Sequence, residues 1–247
     1  MNLTNNTILI SGGTAGIGFE IAKLLTEKGN HVIITGRDQK RLDEAAAKLA
    51  NVTGILFDTT KEADVDRLIN RINTDFPTLN VVINNAGRAY TYDITAGEKS
   101  WEKAGDEMET NYISLIRLTE KLLPQLLKQE AAALINVSSV TAIAPGLNVP
   151  TYSASKAAVH SYTEVLRLAL KNTNVKVFEL MPPLVNTEFS KEIGGEENGI
   201  PALQVAVEFA EAFGNDTYEI HVGATAQIFA LARTSPESAL NALNGIG

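Results

Sequence analysis

A phenol and an amine stand four residues apart in the stretch Thr151-Tyr152-Ser153-Ala154-Ser155-Lys156. Residues at that spacing project from nearly the same face of a helix, one turn on, so both point into one site if a helix begins near Pro150. A free phenol titrates near ~10, whereas a general acid or base works best near the operating pH. About three units must be removed, on the order of 4 kcal/mol. A fixed ammonium beside the phenolate supplies part of that. The chemistry such a pair fits is proton exchange with a reacting oxygen.

A second constellation suits phosphate. The apolar run TILIS (7–11) enters SGGTAGIG, with Gly12, Gly16 and Gly18 at a strand-to-helix turn. Glycine permits positive φ and close backbone approach, so amides at the following helix N-terminus can face a pyrophosphate while the helix dipole favours its charge. The spacing is G-x-x-x-G-x-G, not the general G-x-G-x-x-G, and glycines also mark ordinary tight turns. With a dinucleotide bound there, an oxidised, cationic nicotinamide would add to the positive field around Tyr152. At the end of the second apolar run, a carboxylate would bond a ribose 2′-hydroxyl and an arginine would accommodate a 2′-phosphate. The residues are Thr35-Gly36-Arg37-Asp38. Arg37 offers a planar fork matched to phosphate, which favours NADP(H) over NAD(H). Asp38 is the competing candidate, and Arg37 also reads as a solvated surface charge.

These residues need a scaffold. Apolar, β-branched runs recur at 7–11, 31–35, 53–57, 79–83, 133–138, 175–180 and 218–222, separated by amphipathic stretches such as 16–28, 39–50 and 61–74. Continuous apolar runs suit strands buried on both faces. The expectation is an α/β fold: a single-domain, doubly wound Rossmann arrangement over 1–247, its seven-stranded parallel sheet covered by helices on both faces. Ser139 then falls at the C-terminal end of the fifth strand, where ligands bind in open α/β sheets. Ser138 faces the other way if the strand alternates. Gly29 is placed to end the first helix, and Asp58, Thr59 and Thr60 offer N-caps for the third. The polar, glycine-rich segment 187–200 reads as a lid, extending with its flanks to about 213. Residues 224–244 form a last helical stretch, interrupted at Ser235-Pro236.

Composition narrows the partners. The net charge of −8 opposes nucleic acid and anionic membrane surfaces, so neither is an expected partner. There is no cysteine, and His31, His160 and His221 lack a ligand spacing, so no metal is expected. Without a basic, apolar leader or an apolar run of about 18 residues, the expected location is cytoplasmic.

Taken together, SGGTAGIG, NNAG (84–87), Asn111 in ETNYIS, NVSS (136–139) and YSASK (152–156) resemble the short-chain dehydrogenase/reductase family across nearly the whole chain. The resemblance implies hydride transfer between a nicotinamide cofactor and a carbonyl or secondary alcohol. Ser139 holds the substrate oxygen, Tyr152 is the general acid/base, Lys156 also bonds the nicotinamide ribose, and Asn111 supports a proton relay through water. The thirteen-residue interval from Ser139 to Tyr152 matches the family and favours Ser139 over Ser138. Cofactor contacts are implied at Gly12, Thr14, Gly16, Ile17, Gly18, Arg37, Asp58, Asn84, Ala86, Gly87, Tyr152, Lys156, Pro182, Val185 and Thr187. Asp58 is assigned to the adenine end, and Asn84, Ala86 and Gly87 to the cofactor floor. Pro183 departs from the more frequent glycine, and Ala15 stands where NADP-preferring relatives often carry a basic residue. Tyr90, Leu147, Val149, Leu184 and Phe189 are candidates for an apolar substrate pocket, or for ordinary packing. The implied assembly is a homodimer or homotetramer through helices around 112–128 and 152–171. A cofactor-sensing Rossmann protein without catalysis is the alternative, against which the intact Ser139, Tyr152 and Lys156 argue.

Overall fold

The computed structural model describes residues 1–97 and 99–246, and in it the seven expected runs form one parallel sheet. Its strands are Thr7–Ile10 (β1), His31–Gly36 (β2), Val52–Leu56 (β3), Leu79–Asn84 (β4), Ala132–Val137 (β5), Val175–Met181 (β6) and, after two short strands in the lid, Glu219–His221 (β9). The order is β3-β2-β1-β4-β5-β6-β9. The chain builds outward from β1 to β3 and then restarts on the other side at β4, so the crevice at the switch point opens beside β1 and β4.

Alternation within the apolar runs creates two cores. Ile8 and Ile10 of β1 pack with Ile21, Leu25, Phe178 and Phe213 on one face, whereas Leu9 joins Ile33, Leu68, Ile72 and Leu122 on the other. Helices Gly16–Glu27 (α1), Gln39–Ala46 (α2) and, later in the chain, Ala202–Gly214 (α8) line the first face. Glu62–Asp75 (α3), Ser114–Leu126 (α5) and Pro150–Leu170 (α6) cover the second, with Ser100–Met108 (α4) leading into α5. Burial on both faces is why these strands carry no polar alternation.

Several boundaries differ from the sequence expectation. α2 ends at Ala46 rather than 50 because the chain tightens, Lys48 and Leu49 donating to Ala45 and Ala46 three residues back. The cap of α3 is Lys61, without a side-chain bond. Between α4 and α5 runs a π turn, Glu109–Ile113. The segment expected to be a lid is folded: a 3₁₀ segment Glu188–Ile193 and a short helix Gly195–Asn198 (α7) lie between Val185–Asn186 (β7) and Ile200–Pro201 (β8), which pair parallel and hold its two ends together. The expected break at 235–236 separates Thr225–Thr234 (α9) from Pro236–Asn244 (α10), with Ser235 accepting the Ser238 amide at 3.4 Å.

Candidate active site

The turn after β1 is held from β4. The Ser11 hydroxyl accepts the amides of Asn85 and Ala86 at 3.0 and 3.1 Å, and the Asn85 amide group donates to the carbonyls of Ser11 and Gly12 at 3.0 and 2.9 Å. Gly12 and Gly16 adopt φ of +68° and +56°, the left-handed region where a side chain is strained. Gly18 is required for space: a Cβ there would lie 2.5 Å from both the Gly12 oxygen and Asn85 Nδ2. α1 begins at Gly16 behind Ala15, which provides no side-chain cap, so its first-turn amides open onto the crevice as an anion site.

In front of this turn lies a cavity of about 350 Å³. Gly12, Thr14, Gly16, Ile17, Arg37, Ala86 and Gly87 line it, as do Tyr152, Lys156, Pro182 and Thr187. Gly18 sits beneath the wall. A second cavity of about 310 Å³ adjoins it, lined by Ser139, Leu147, Val149, Leu184, Val185 and Phe189 among others. The two share Ile17, Tyr152, Pro182, Thr187 and Phe189, so Tyr152 stands at their junction. Phe189 of the lid approaches the Tyr152 ring, with centroids 6.0 Å apart.

Three implied cofactor or catalytic side chains lie off both walls. Asn84 turns into the core, donating to Asn136 at 2.9 Å and Thr119 at 3.3 Å, and its neighbour Asn85 takes the place by the turn because successive strand residues face opposite ways. Asp58 accepts the amide and hydroxyl of Thr60 at 3.0 and 2.7 Å, closing an Asx turn. Asn111 accepts the Arg88 amide at 2.7 Å and donates to the Arg88 carbonyl at 2.9 Å and Ser155 at 2.8 Å, within the π turn. A Cβ on Gly87 would meet both Asn111 Oδ1 and Lys156 Nζ, at 3.4 and 3.8 Å, so Asn111 stands directly behind the first cavity. Tyr90 also leaves the pocket, its hydroxyl donating to Asp106 beside Arg88.

Ser138 and Ser139 diverge as strand neighbours should. Ser138 donates to the fully buried Glu179 at 2.5 Å, and His160 meets the same carboxylate at 2.9 Å, a bond that raises the imidazole pKa. The Ser139 hydroxyl accepts the Thr141 amide and hydroxyl, each at 3.1 Å, and opens on the second cavity beside Tyr152.

Burial dominates the electrostatics of the pair. Burial pushes the Tyr152 phenol well above its ordinary value; the Ser139 hydroxyl opposes this and the Glu107 carboxylate adds to it. Lys156 is buried, donates to the Val137 carbonyl at 2.8 Å, and lies 5.6 Å from the Tyr152 ring centroid. Burial draws its own pKa down to about 8, against the attraction of Glu179. The lysine therefore shares the site with the phenol, and burial opposes the lowering that its positive charge would supply.

Glu107, Asn85 and Arg41 were not anticipated. Glu107 is fully buried on α4, accepts the Tyr90 amide at 2.7 Å, and has its pKa raised by burial. Asn85 had a signal in NNAG, though not one that tells the two asparagines apart. Arg41 lines the first cavity from α2.

Comparison with known proteins gives a consistent picture. Residues 6–198 match the family described as short chain dehydrogenase. The uncharacterized oxidoreductase DltE of Bacillus subtilis (strain 168) is 41% identical over 192 residues, 78% of this chain and 76% of that protein. The uncharacterized oxidoreductase SAR2567 of Staphylococcus aureus (strain MRSA252) is 34% identical over 188 residues, 75% and 80% of the two chains. Among solved structures, a short chain dehydrogenase from Burkholderia cenocepacia J2315 in complex with NADP superposes with a TM-score of 0.86 at 26% identity, covering 98% of both chains. A short chain dehydrogenase/reductase from Burkholderia phymatum in complex with NAD reaches 0.88 over 96% and 95%, at 21% identity a likeness of fold.

Proposed function

Because the chain belongs to the short-chain dehydrogenase/reductase family of oxidoreductases, we propose that it transfers hydride between NADP(H) and a carbonyl or secondary alcohol, with Tyr152 as the proton-exchanging group. The observation that carries this is the position of Tyr152 between a glycine-walled cavity and a largely apolar one that also presents Ser139. A dinucleotide fits the first on structural grounds: left-handed glycines, no tolerance for a Cβ at Gly18, and uncapped helix amides.

When bound, the cofactor supplies or accepts the hydride at its nicotinamide, whose oxidised ring is cationic and favours the phenolate. The chain's residues do the rest. Ser139 orients the substrate oxygen from the second cavity; Tyr152 gives that oxygen a proton during reduction and takes one during oxidation; Lys156 holds positive charge beside it; Asn111, behind Gly87, supports the relay. Burial by the protein raises the phenol pKa, and the positive charges of Lys156 and of an oxidised nicotinamide would oppose that rise.

Three features support NADP(H). Arg37 lies on the cavity wall. A Cβ at Gly36 would come within 2.6 Å of the Thr14 Cγ2 methyl, so any side chain at the end of β2 would have to displace Thr14. Asp38 is engaged as the cap of α2, accepting the Arg41 amide at 3.0 Å. The substrate is a small carbonyl with an apolar body, given the Leu147, Val149, Leu184 and Phe189 lining.

Tyr152→Phe is the direct test. The variant should fold, largely keep NADP⁺ binding, and lose turnover on a carbonyl panel by at least ~10²-fold, followed by NADPH absorbance. Full turnover by the variant refutes the role of Tyr152. Saturable NADP⁺ binding by the parent, without turnover of any carbonyl, favours a sensor.

A further inference from the structure

Resting on the cofactor reading above, we infer that Arg41 is a second ligand for the 2′-phosphate of NADP(H), and that Glu188 at the start of the lid is a resident anion which the phosphate displaces. Arg37 and Arg41 line the same cavity, one just before α2 and one in its first turn. The backbone of Arg41 is fixed by the bond from its amide to Asp38. Its guanidinium crosses to the lid and meets both carboxylate oxygens of Glu188, Nη1 at 3.4 Å from Oε1 and Nη2 closer to Oε2. Among the described residues lining this cavity, Glu188 is the one acidic side chain, set against Arg37, Arg41 and Lys156. It therefore sits as a carboxylate on the guanidinium fork, beside the residue expected to take the phosphate.

The pair is built for exchange. The two side chains are 47% and 69% exposed, so their mutual attraction is weak and gives way readily. A phosphate monoester carries more charge than a carboxylate and three acceptor oxygens, and it wins a guanidinium from a glutamate. NAD(H) lacks that group and leaves Glu188 pinned to α2. The start of the lid, which also carries Thr187 and Phe189 of the junction, is thereby coupled to cofactor identity.

Calorimetric titration of NADP⁺ and NAD⁺ into the intact protein and its variants tests this. Arg41→Ala should weaken NADP⁺ about tenfold and change NAD⁺ by less than about twofold. Glu188→Gln, which removes the competitor, should tighten NADP⁺ by roughly threefold and leave NAD⁺ alone. In the Arg41→Ala background the glutamine substitution should do nothing. A Glu188→Gln variant with weaker or unchanged NADP⁺ affinity overturns the inference, as does an Arg41→Ala variant that loses both cofactors equally. Failure of the underlying reading looks different: the unmodified protein binds neither dinucleotide, or Arg37→Ala leaves the preference intact.

Discussion

Lys156 shows how chemistry and stability conflict at one residue. Its ammonium loses water in the fold and titrates near 8, against 10.5 for an ordinary lysine. Between those values the unfolded chain binds more protons than the folded one, so this group makes stability rise with pH across that window. Below about 8 both states are charged and the penalty, roughly 3 kcal/mol, is fully present. Lys156→Met should flatten the rise and stabilise the protein at neutral pH while turnover collapses, although lost attraction to Glu179 reduces the gain. Urea unfolding of both proteins at pH 7, 8.5 and 9.5 reads the difference. Measurements stop below 10 because Tyr152, whose pKa burial raises, makes the folded state the better proton binder above that point. Equal slopes in the two proteins would show that the ammonium is not desolvated. Tyr152, Lys156 and Ser139 were legible in the sequence because their positions follow from local helix and strand geometry. The depth of their burial is not, since it comes from chain distant in sequence. Arg41 and Glu188 meet across 147 positions, a distance no local pattern spans.

The lid shows the same division among elements. Long apolar runs announced the seven strands of the main sheet, but β7 and β8 have two residues each and leave no periodic trace. A polar, glycine-rich stretch reads as loop; its internal order depends on contacts specific to those glycines. Gly199 has no room for a methyl group: its Cβ would lie 2.4 Å from the Asn186 amide nitrogen and 2.5 Å from the Gly195 carbonyl oxygen, backbone atoms with no rotamer to escape into. Gly199→Ala should therefore separate β7 from β8 and release Glu188–Ile193, costing about 1–3 kcal/mol locally. Trypsin should cut faster at the exposed Lys191, and turnover should fall. Thermal unfolding should also shift downward, because Val185, whose backbone the new methyl group would meet at 2.6 Å, and Ile200 both pack in the first core. An unchanged cleavage rate would mean the lid is not held at this pair.

At the scale of the molecule, α6 carries Tyr152 and Lys156 on one face and an exposed stripe on the other. Its inner face buries Val159, Thr163, Leu166 and Leu170 and delivers Lys156 to the cavity. Its outer face presents Ala154, Ala157 and Ser161 to solvent, followed by Val165 and Leu168 at 63% and 65% exposure. The small residues among them also suited packing against the protein's own sheet, but their exposure leaves a stripe where another helix can approach closely and apolar surface can be covered. Glu164 is the one charge within this face, and the apolar area around it is what a second copy would cover. We therefore expect a homo-oligomer with α6 at its interface. Val165→Glu combined with Leu168→Glu should shift sedimentation at micromolar concentration to the monomer without unfolding the chain, since both positions face water in the single subunit. Because Tyr152 and Lys156 ride on the same helix, turnover should fall with assembly while NADP⁺ binding at the glycine turn persists. A double variant that sediments like its parent would move the interface elsewhere, and a parent that is already monomeric at those concentrations would remove the expectation.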